Sequence, residues 1–281
     1  MRRVLLNYYT LISMESQVYL FLFIIYELYI DADASLRILG GRDALKDEFP
    51  FAICLEVKKN GSNKLKKYHQ FCTGAAIAPT WILTAGHCYS KEDHGKRIKQ
   101  YARYNSYFPK YRGQLSLLLE FHVHPGYKSQ IGTNNDIALF LCEKLSIVSF
   151  LKITSVDYTT FVGRETMILG FGGTNASQWD KPLQVLKGMF SKCDKETEKS
   201  KYTLCVVPSC ELVATICGGD SGGPVLVSSH VVGVNSQSAD DCDEDTEYMV
   251  RTPGASASIV AMLSPYIDWI QKVISNKTKP M

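Results

Sequence analysis

From Ile38 onward the chain alternates short apolar stretches with turn residues. Pro50–Val57, Ala75–Ala78, Trp81–Ala85, Leu115–Val123, Ile137–Leu141, Thr166–Phe171, Val225–Val227 and Val231–Val234 are the clearest. Many are rich in Val, Ile, Phe and Tyr and are bounded by Gly or Pro, which predicts strands. Helical periodicity is weak until the end. There Ile267, Ile270 and Ile274 recur three to four positions apart, as do Tyr266, Ile270 and Val273. This predicts an amphipathic helix over Leu263–Ile274 packed on the body, with Pro265 in its first turn. No internal repeat, low-complexity tract or long linker interrupts the pattern. It predicts an all-β fold with many short strands and one C-terminal helix.

The first forty positions follow another pattern. Met1-Arg2-Arg3 is basic, and Val18–Ile30 is an apolar run broken only by Glu27. As a helix it would rise about 20 Å, short of a hydrocarbon core of about 30 Å. It runs into Ala32-Asp33-Ala34, which matches a signal-peptidase site. The expected leader is residues 1–34, cut after Ala34. Met14 is an alternative start that gives a leader of ordinary length. An uncleaved membrane anchor is the other reading, and Glu27 and the shortness of the run argue against it. A leader implies secretion, with no membrane segment after cleavage, and secretion favours disulfides for the nine cysteines. Composition agrees with a packed domain: 46% hydrophobic and 21% charged residues exclude wholesale disorder. A net charge of +3 is too small a bias to imply a nucleic-acid partner.

Three segments carry candidate chemistry. Thr84-Ala85-Gly86-His87-Cys88 holds a histidine after an apolar strand, and Asn135-Asp136-Ile137-Ala138-Leu139 puts an aspartate at the head of another. Gly219-Asp220-Ser221-Gly222-Gly223-Pro224 sets a serine among glycines. Each alone is a cap, a turn or a solvated group. Together they contain what hydrolysis by serine needs. A hydroxyl needs a base to take its proton. The base needs a carboxylate to hold its tautomer. The developing oxyanion needs fixed amide donors, which a glycine-rich turn can bring close.

With these segments in the order His, Asp, Ser, the chain resembles the secreted chymotrypsin/trypsin-like serine proteases over roughly Ile38–Ile274. The resemblance implies two six-stranded antiparallel Greek-key barrels followed by the C-terminal helix. Barrel one is expected over about 38–150, barrel two over about 151–263 and the helix over about 263–274. It implies Ser221 as nucleophile, His87 as general base and acid, Asp136 as its orienting partner, and the N–H groups of Gly219 and Ser221 as the oxyanion hole. Arg37-Ile38-Leu39-Gly40-Gly41 looks like the family's activation site. Cleavage after Arg37 would free an α-amino group on Ile38 to pair with Asp220, leaving Ser35–Arg37 as a short propeptide and 38–281 as the protease. The implied partners are polypeptide substrates, an activating protease and protein inhibitors, the implied state is a monomer, and no cofactor is implied.

The same resemblance pairs Cys72 with Cys88, Cys193 with Cys205, and Cys217 with Cys242. A further family bridge is missing at both ends, which are Thr166 and Val227 here. Cys54, Cys142 and Cys210 remain. Cys54 and Cys142 lie in apolar strands and read as buried small hydrophobes. No close Cys or His spacing supports a metal site. At the base of the family's primary pocket trypsins carry an aspartate, but here Thr215 stands there, followed by Ile216. Ser236, Gln237 and Ser238 replace the usual Ser-Trp-Gly wall, with Gly254 further along it. A neutral pocket for an apolar or small residue is expected. The acidic stretch Asp240–Glu247 is the alternative source of a carboxylate for basic substrates.

Between His94 and Leu119 lie Lys96, Arg97, Lys99, Arg103, Lys110 and Arg112 and no carboxylate. This predicts no calcium site and leaves two readings, a solvated loop or an exosite for an acidic macromolecule. Asn60, Asn175 and Asn276 begin glycosylation sequons. The leading expectation is a secreted serine endopeptidase made as a zymogen. The alternatives are a non-catalytic binding or regulatory protein on the same fold and a hydrolase of small esters.

Overall fold

A computed structural model describes residues 41–58, 68–90, 98–106, 108, 112–128, 133–172, 182–193, 201–209, 214–238 and 257–278. The expected leader, Arg37, Ile38, Asn60, Asn175, Cys210, Cys242, Gly254 and the 240–247 stretch lie outside these residues. All described residues belong to the unit Leu36–Met281.

The first barrel comprises β2 (Ala52–Lys58), β3 (Tyr68–Ala78), β4 (Trp81–Thr84), β5 (Gln100–Tyr104), β6 (Gln114–Val123) and β7 (Ala138–Cys142). It closes in the order β2-β3-β4-β7-β6-β5. β4 pairs with β7 rather than with its successor, which is the Greek-key crossing. The second comprises β9 (Glu165–Gly170), β10 (Gln184–Ser191), β11 (Thr203–Pro208), β12 (Pro224–Val227), β13 (His230–Gln237) and β14 (Ser258–Met262). Its order is β10-β11-β14-β13-β12-β9, closed by antiparallel pairing of β9 with β10. Two short strands add to it. β1 (Arg42–Asp43) pairs with β10 although it precedes the first barrel in the chain, and β8 (Lys152–Ile153) pairs parallel with β13.

The near-continuous apolar runs have a simple cause: successive side chains of one strand enter different cores. Ile53 and Leu55 of β2, Ile82 of β4 and Phe140 of β7 fill the first barrel. The alternating neighbours Cys54, Trp81, Leu83 and Leu139 face outward into a second, shared core. There they meet Leu169, Phe171, Val185, Val231 and Val234 from the other barrel. Ile168, Leu186, Phe190, Val206, Val225 and Val260 fill that barrel's own interior. The shared core is thus the joint between the barrels, and it holds the strand ends that carry the candidate site.

The C-terminal helix begins one turn later than the pattern predicts. Ser264–Tyr266 is a 3-10 turn with Pro265 near its start, and α1 runs Ile267–Thr278. Tyr266 and Ile270 enter the shared core, and Trp269, Val273 and Ile274 pack against it. His124 stacks edge-on between Tyr266 and Trp269, with ring centroids 5.0 and 5.1 Å away. Among the described residues no helix is long and apolar enough to cross a membrane.

Arg103, counted in the basic 94–119 segment, is not a surface charge. It is buried, and its Nε and Nη2 donate to both carboxylate oxygens of the fully buried Glu56, at 2.8 and 2.7 Å. The guanidinium also lies 5.4 Å from the centroid of the Tyr68 ring. Lys99 and Arg112 are exposed, whereas Lys96, Arg97 and Lys110 lie outside the described residues.

Candidate functional site

His87 sits in a 3-10 turn, Gly86–Cys88, directly after β4. Asp136 precedes β7, which is hydrogen-bonded to β4 through Thr84 and Ala138. Strand pairing therefore brings the two residues together, although 49 positions separate them. His87 Nδ1 lies 2.8 Å from Asp136 Oδ2, and the His87 N–H donates to Asp136 Oδ1, also at 2.8 Å. The carboxylate side chain is only 3% exposed, and that of the imidazole 32%. With Nδ1–H donating to the carboxylate, Nε2 is left as the acceptor.

A third donor fixes Asp136. Ser236 Oγ, from β13 of the second barrel, donates to Asp136 Oδ2 at 2.6 Å. Ser236, expected in a substrate-pocket wall, turns its hydroxyl to the carboxylate across the joint between the barrels. Tyr127 also flanks this carboxylate. Burial and the nearby Asp136 charge push its phenol up to about 12.

Ser221 lies in the turn before β12. Its carbonyl accepts the Thr73 N–H at 2.8 Å and lies 3.7 Å from Cys88 Sγ, next to His87 in the chain. Gly222 must be glycine: its φ is +76°, and an added Cβ would lie 2.6 Å from the Thr73 carbonyl oxygen. Asp220 is fully buried. Its carboxylate accepts the amides of Gly172 (2.7 Å) and Cys217 (2.8 Å). Burial pushes its carboxyl up to about 7, against the pull of those two N–H groups. A Cβ on Gly172 would lie 2.5 Å from Asp220 Cγ, so the carboxylate occupies room that this glycine leaves.

The pocket residues divide. Thr215 is fully buried, and its Oγ1 lies 2.9 Å from Ser238 Oγ and 3.3 Å from the Ala257 carbonyl. The expected floor and the expected wall are therefore joined hydroxyl to hydroxyl. Ile216, also expected at the pocket, is buried in the second barrel's core. Gln237 is exposed.

Cys72–Cys88 and Cys193–Cys205 are disulfides. The first joins β3 to the turn carrying His87. Cys217 is disulfide-bonded to a partner outside the described residues. Cys54 and Cys142 are buried, and burial pushes the Cys142 thiol up to about 11. Among the described residues Cys72, His87 and Cys88 bring ligand-type atoms within 4.8 Å of one another. Both sulfurs are spent on their own bond, so the group offers no thiolate to an ion. Asn276 is exposed on α1.

Sequence reasoning missed Thr73. In the sequence it is one polar residue in an apolar strand. Only folding brings its hydroxyl to the serine turn, where it donates to the Gly219 carbonyl at 2.7 Å.

Comparison with known proteins agrees with this geometry. The family model for Trypsin matches residues 38–262. Tonin of Rattus norvegicus is 28% identical over 258 residues, covering 85% of this chain and 90% of that protein. Chymotrypsin-like elastase family member 3B of Macaca mulatta is 28% identical over 269 residues, covering 86% and 95%. Kallikrein-8 of Homo sapiens is 25% identical over 250 residues, covering 86% and 88%. A match over most of the length, on two closed barrels with a histidine–carboxylate pair at their joint, places the chain in the trypsin family of serine proteases.

Proposed function

We propose that the chain is a secreted endopeptidase in which Ser221, His87 and Asp136 cleave peptide bonds through an acyl-enzyme. The observation that carries this is the His87–Asp136 pair: a bond of 2.8 Å to a carboxylate that three donors hold in place. That pair keeps a proton on Nδ1, so Nε2 is the ring atom able to act as a base. As Ser221 Oγ bonds to the substrate carbonyl carbon, its proton passes to Nε2. The carbonyl oxygen becomes an oxyanion, held by the N–H groups of Gly219 and Ser221. The protonated His87 then gives its proton to the leaving amine nitrogen as the C–N bond breaks. Water repeats the sequence on the ester, releasing the acid and restoring Ser221. Asp136 stays ionised throughout and stabilises the imidazolium. Losing one oxyanion donor typically costs about 2.7–4 kcal/mol of transition-state stabilisation.

The enzyme is made as a zymogen with a leader over 1–34 and is activated by cleavage after Arg37. The buried Asp220 supports this, because a carboxylate out of water is strongly stabilised by a cation such as the new Ile38 α-amino group. Primary specificity is for an apolar or small neutral residue. The Thr215–Ser238 contact supports this, since it puts two neutral hydroxyls and no carboxylate at the expected floor and wall. Glycans at Asn60, Asn175 and Asn276 and export to the extracellular space go with the leader.

The test is covalent labelling with an organophosphorus serine reagent after cleavage at Arg37. The expected result is a mass increment on the peptide containing Ser221, absent from Ser221→Ala. Cleaved protein that takes no label would be a non-catalytic binding protein on this fold.

A further inference from the structure

Thr73 is fully buried in β3, and each of its polar groups reaches a different segment. Its N–H donates to the Ser221 carbonyl at 2.8 Å. Its own carbonyl accepts the Thr84 hydroxyl at 2.9 Å, beside the His87 turn. Its Oγ1 accepts the Phe171 N–H at 2.9 Å and donates to the Gly219 carbonyl at 2.7 Å. The direction of these last two bonds is fixed by valence. An amide can only donate and a carbonyl can only accept, so the single hydroxyl proton must point at Gly219. A second side chain of β3 reinforces it: Gln70 Nε2 donates to the same Gly219 carbonyl at 3.2 Å.

The serine turn is therefore held on both sides of Asp220 by one residue of the other barrel. The Gly219 carbonyl is fixed by the Thr73 hydroxyl, and the Ser221 carbonyl by the Thr73 amide. Gly219 itself has a φ of +96°, and an added Cβ would sit 2.8 Å from Gln70 Nε2. The Gly219 carbonyl lies in the 219–220 peptide plane, between the two planes that carry the Gly219 and Ser221 N–H groups, and the Ser221 carbonyl lies in the 221–222 plane. Holding the 219–220 plane from Thr73 limits how far the two adjoining N–H groups can turn before substrate arrives. The Asp220 carboxylate is anchored separately, on Gly172 and Cys217.

We propose that Thr73 is a positioning residue for the oxyanion turn: its hydroxyl preorganises the Gly219 and Ser221 amides for transition-state charge. It acts as a standing tie from the first barrel, apart from the Asp220 anchor. This rests on the proposed roles of Ser221 and Gly219. It is specific to the hydroxyl, because the backbone bond to Ser221 survives any side-chain change.

The test compares Thr73→Val, which keeps shape and loses the hydroxyl, with Thr73→Ser, which keeps it, in the full chain cleaved after Arg37. The first readout is a peptide amide substrate. The second is binding of a peptide aldehyde, which forms a transition-state-like adduct with an active serine. For Thr73→Val the expected result is a fall in kcat of about tenfold to a hundredfold with KM within about twofold, and a parallel loss of aldehyde affinity. Thr73→Ser should stay within about threefold of the parent on both readouts. Full kcat and aldehyde affinity in Thr73→Val would overturn the assignment, as would a loss confined to KM. Should Thr73→Val not fold, Thr73→Ala carries the same comparison. If neither folds, Thr73 is scaffold alone and the assignment falls. A parent enzyme that takes no organophosphorus label is a different outcome, because it removes the serine-hydrolase reading itself.

Discussion

A single hydroxyl, that of Ser236, links the two barrels at the carboxylate of Asp136. A hydrogen bond to a charged group contributes about 1.5–3 kcal/mol. Ser236→Ala should therefore lower kcat by about tenfold to a hundredfold, with little change in KM, because the carboxylate is needed most when the imidazole is protonated. Steady-state rates on a peptide amide check this. Ser238 acts on the other side of the site. Ser238→Gly removes the side chain that meets Thr215 Oγ1 and leaves that hydroxyl its contact with the Ala257 carbonyl. The expected outcome is a rise of about tenfold in kcat/KM for substrates with a large apolar residue before the cut, with small-residue substrates unchanged or poorer. A peptide-library profile reads the shift. Dominance of Arg or Lys at that position in the parent would contradict the neutral pocket.

At the level of paired strands, the Glu56–Arg103 bridge joins β2 to β5, which closes the first barrel. Both partners are out of water, so removing one leaves an uncompensated buried charge. Arg103→Met should lose about 3–5 kcal/mol of stability, and the double variant with Glu56→Leu should recover most of it. Thermal unfolding of the three proteins measures this, and a single variant as stable as the parent would contradict the pairing. Strand β5 also shows why part of the fold was hard to see. Gln100 and Arg103 are buried polar residues in a five-residue strand, so no apolar alternation marks it. β1 and β8 are two residues each and carry no period at all. In β10 the exposed positions Lys187 and Met189 flank Gly188, which interrupts the apolar face. By contrast, β4 and β7 were legible because both of their faces are buried, which leaves an unbroken apolar run.

Over the molecule as a whole, the Asp220 carboxylate couples stability to pH. Its carboxyl is raised to about 7 in the fold, against about 3.9 in an unfolded chain. The folded state therefore binds this proton more tightly. The stability it confers is complete below about pH 4 and is lost as pH rises to about 7. An uncleavable Arg37→Gln chain should lose thermal stability across that window, and Asp220→Asn should flatten the slope. Cleavage after Arg37 should reverse the effect, because an α-amino group with a pKa near 8 stays protonated and compensates the ionised carboxylate. The cleaved protein should then gain on the uncleaved one as pH climbs from about 4 to 7. Parallel thermal midpoints for the two forms would rule out the pairing.

The sequence by itself determined the residue types and their local settings: a histidine after an apolar strand, an aspartate before another, a serine among glycines, and an amphipathic end. Those signals are local, since strand period, turn chemistry and motif order are written within a few positions of each other. Only the tertiary structure decided which hydroxyl serves which group. Ser236 turned its hydroxyl to Asp136, Ile216 went into a core, Arg103 paired inside a barrel, and Thr73 reached the serine turn. Each of these contacts joins residues 47 to 146 positions apart or depends on which of two buried faces a strand residue occupies. No local pattern encodes that choice, because it is settled by strand register and by how two closed barrels meet.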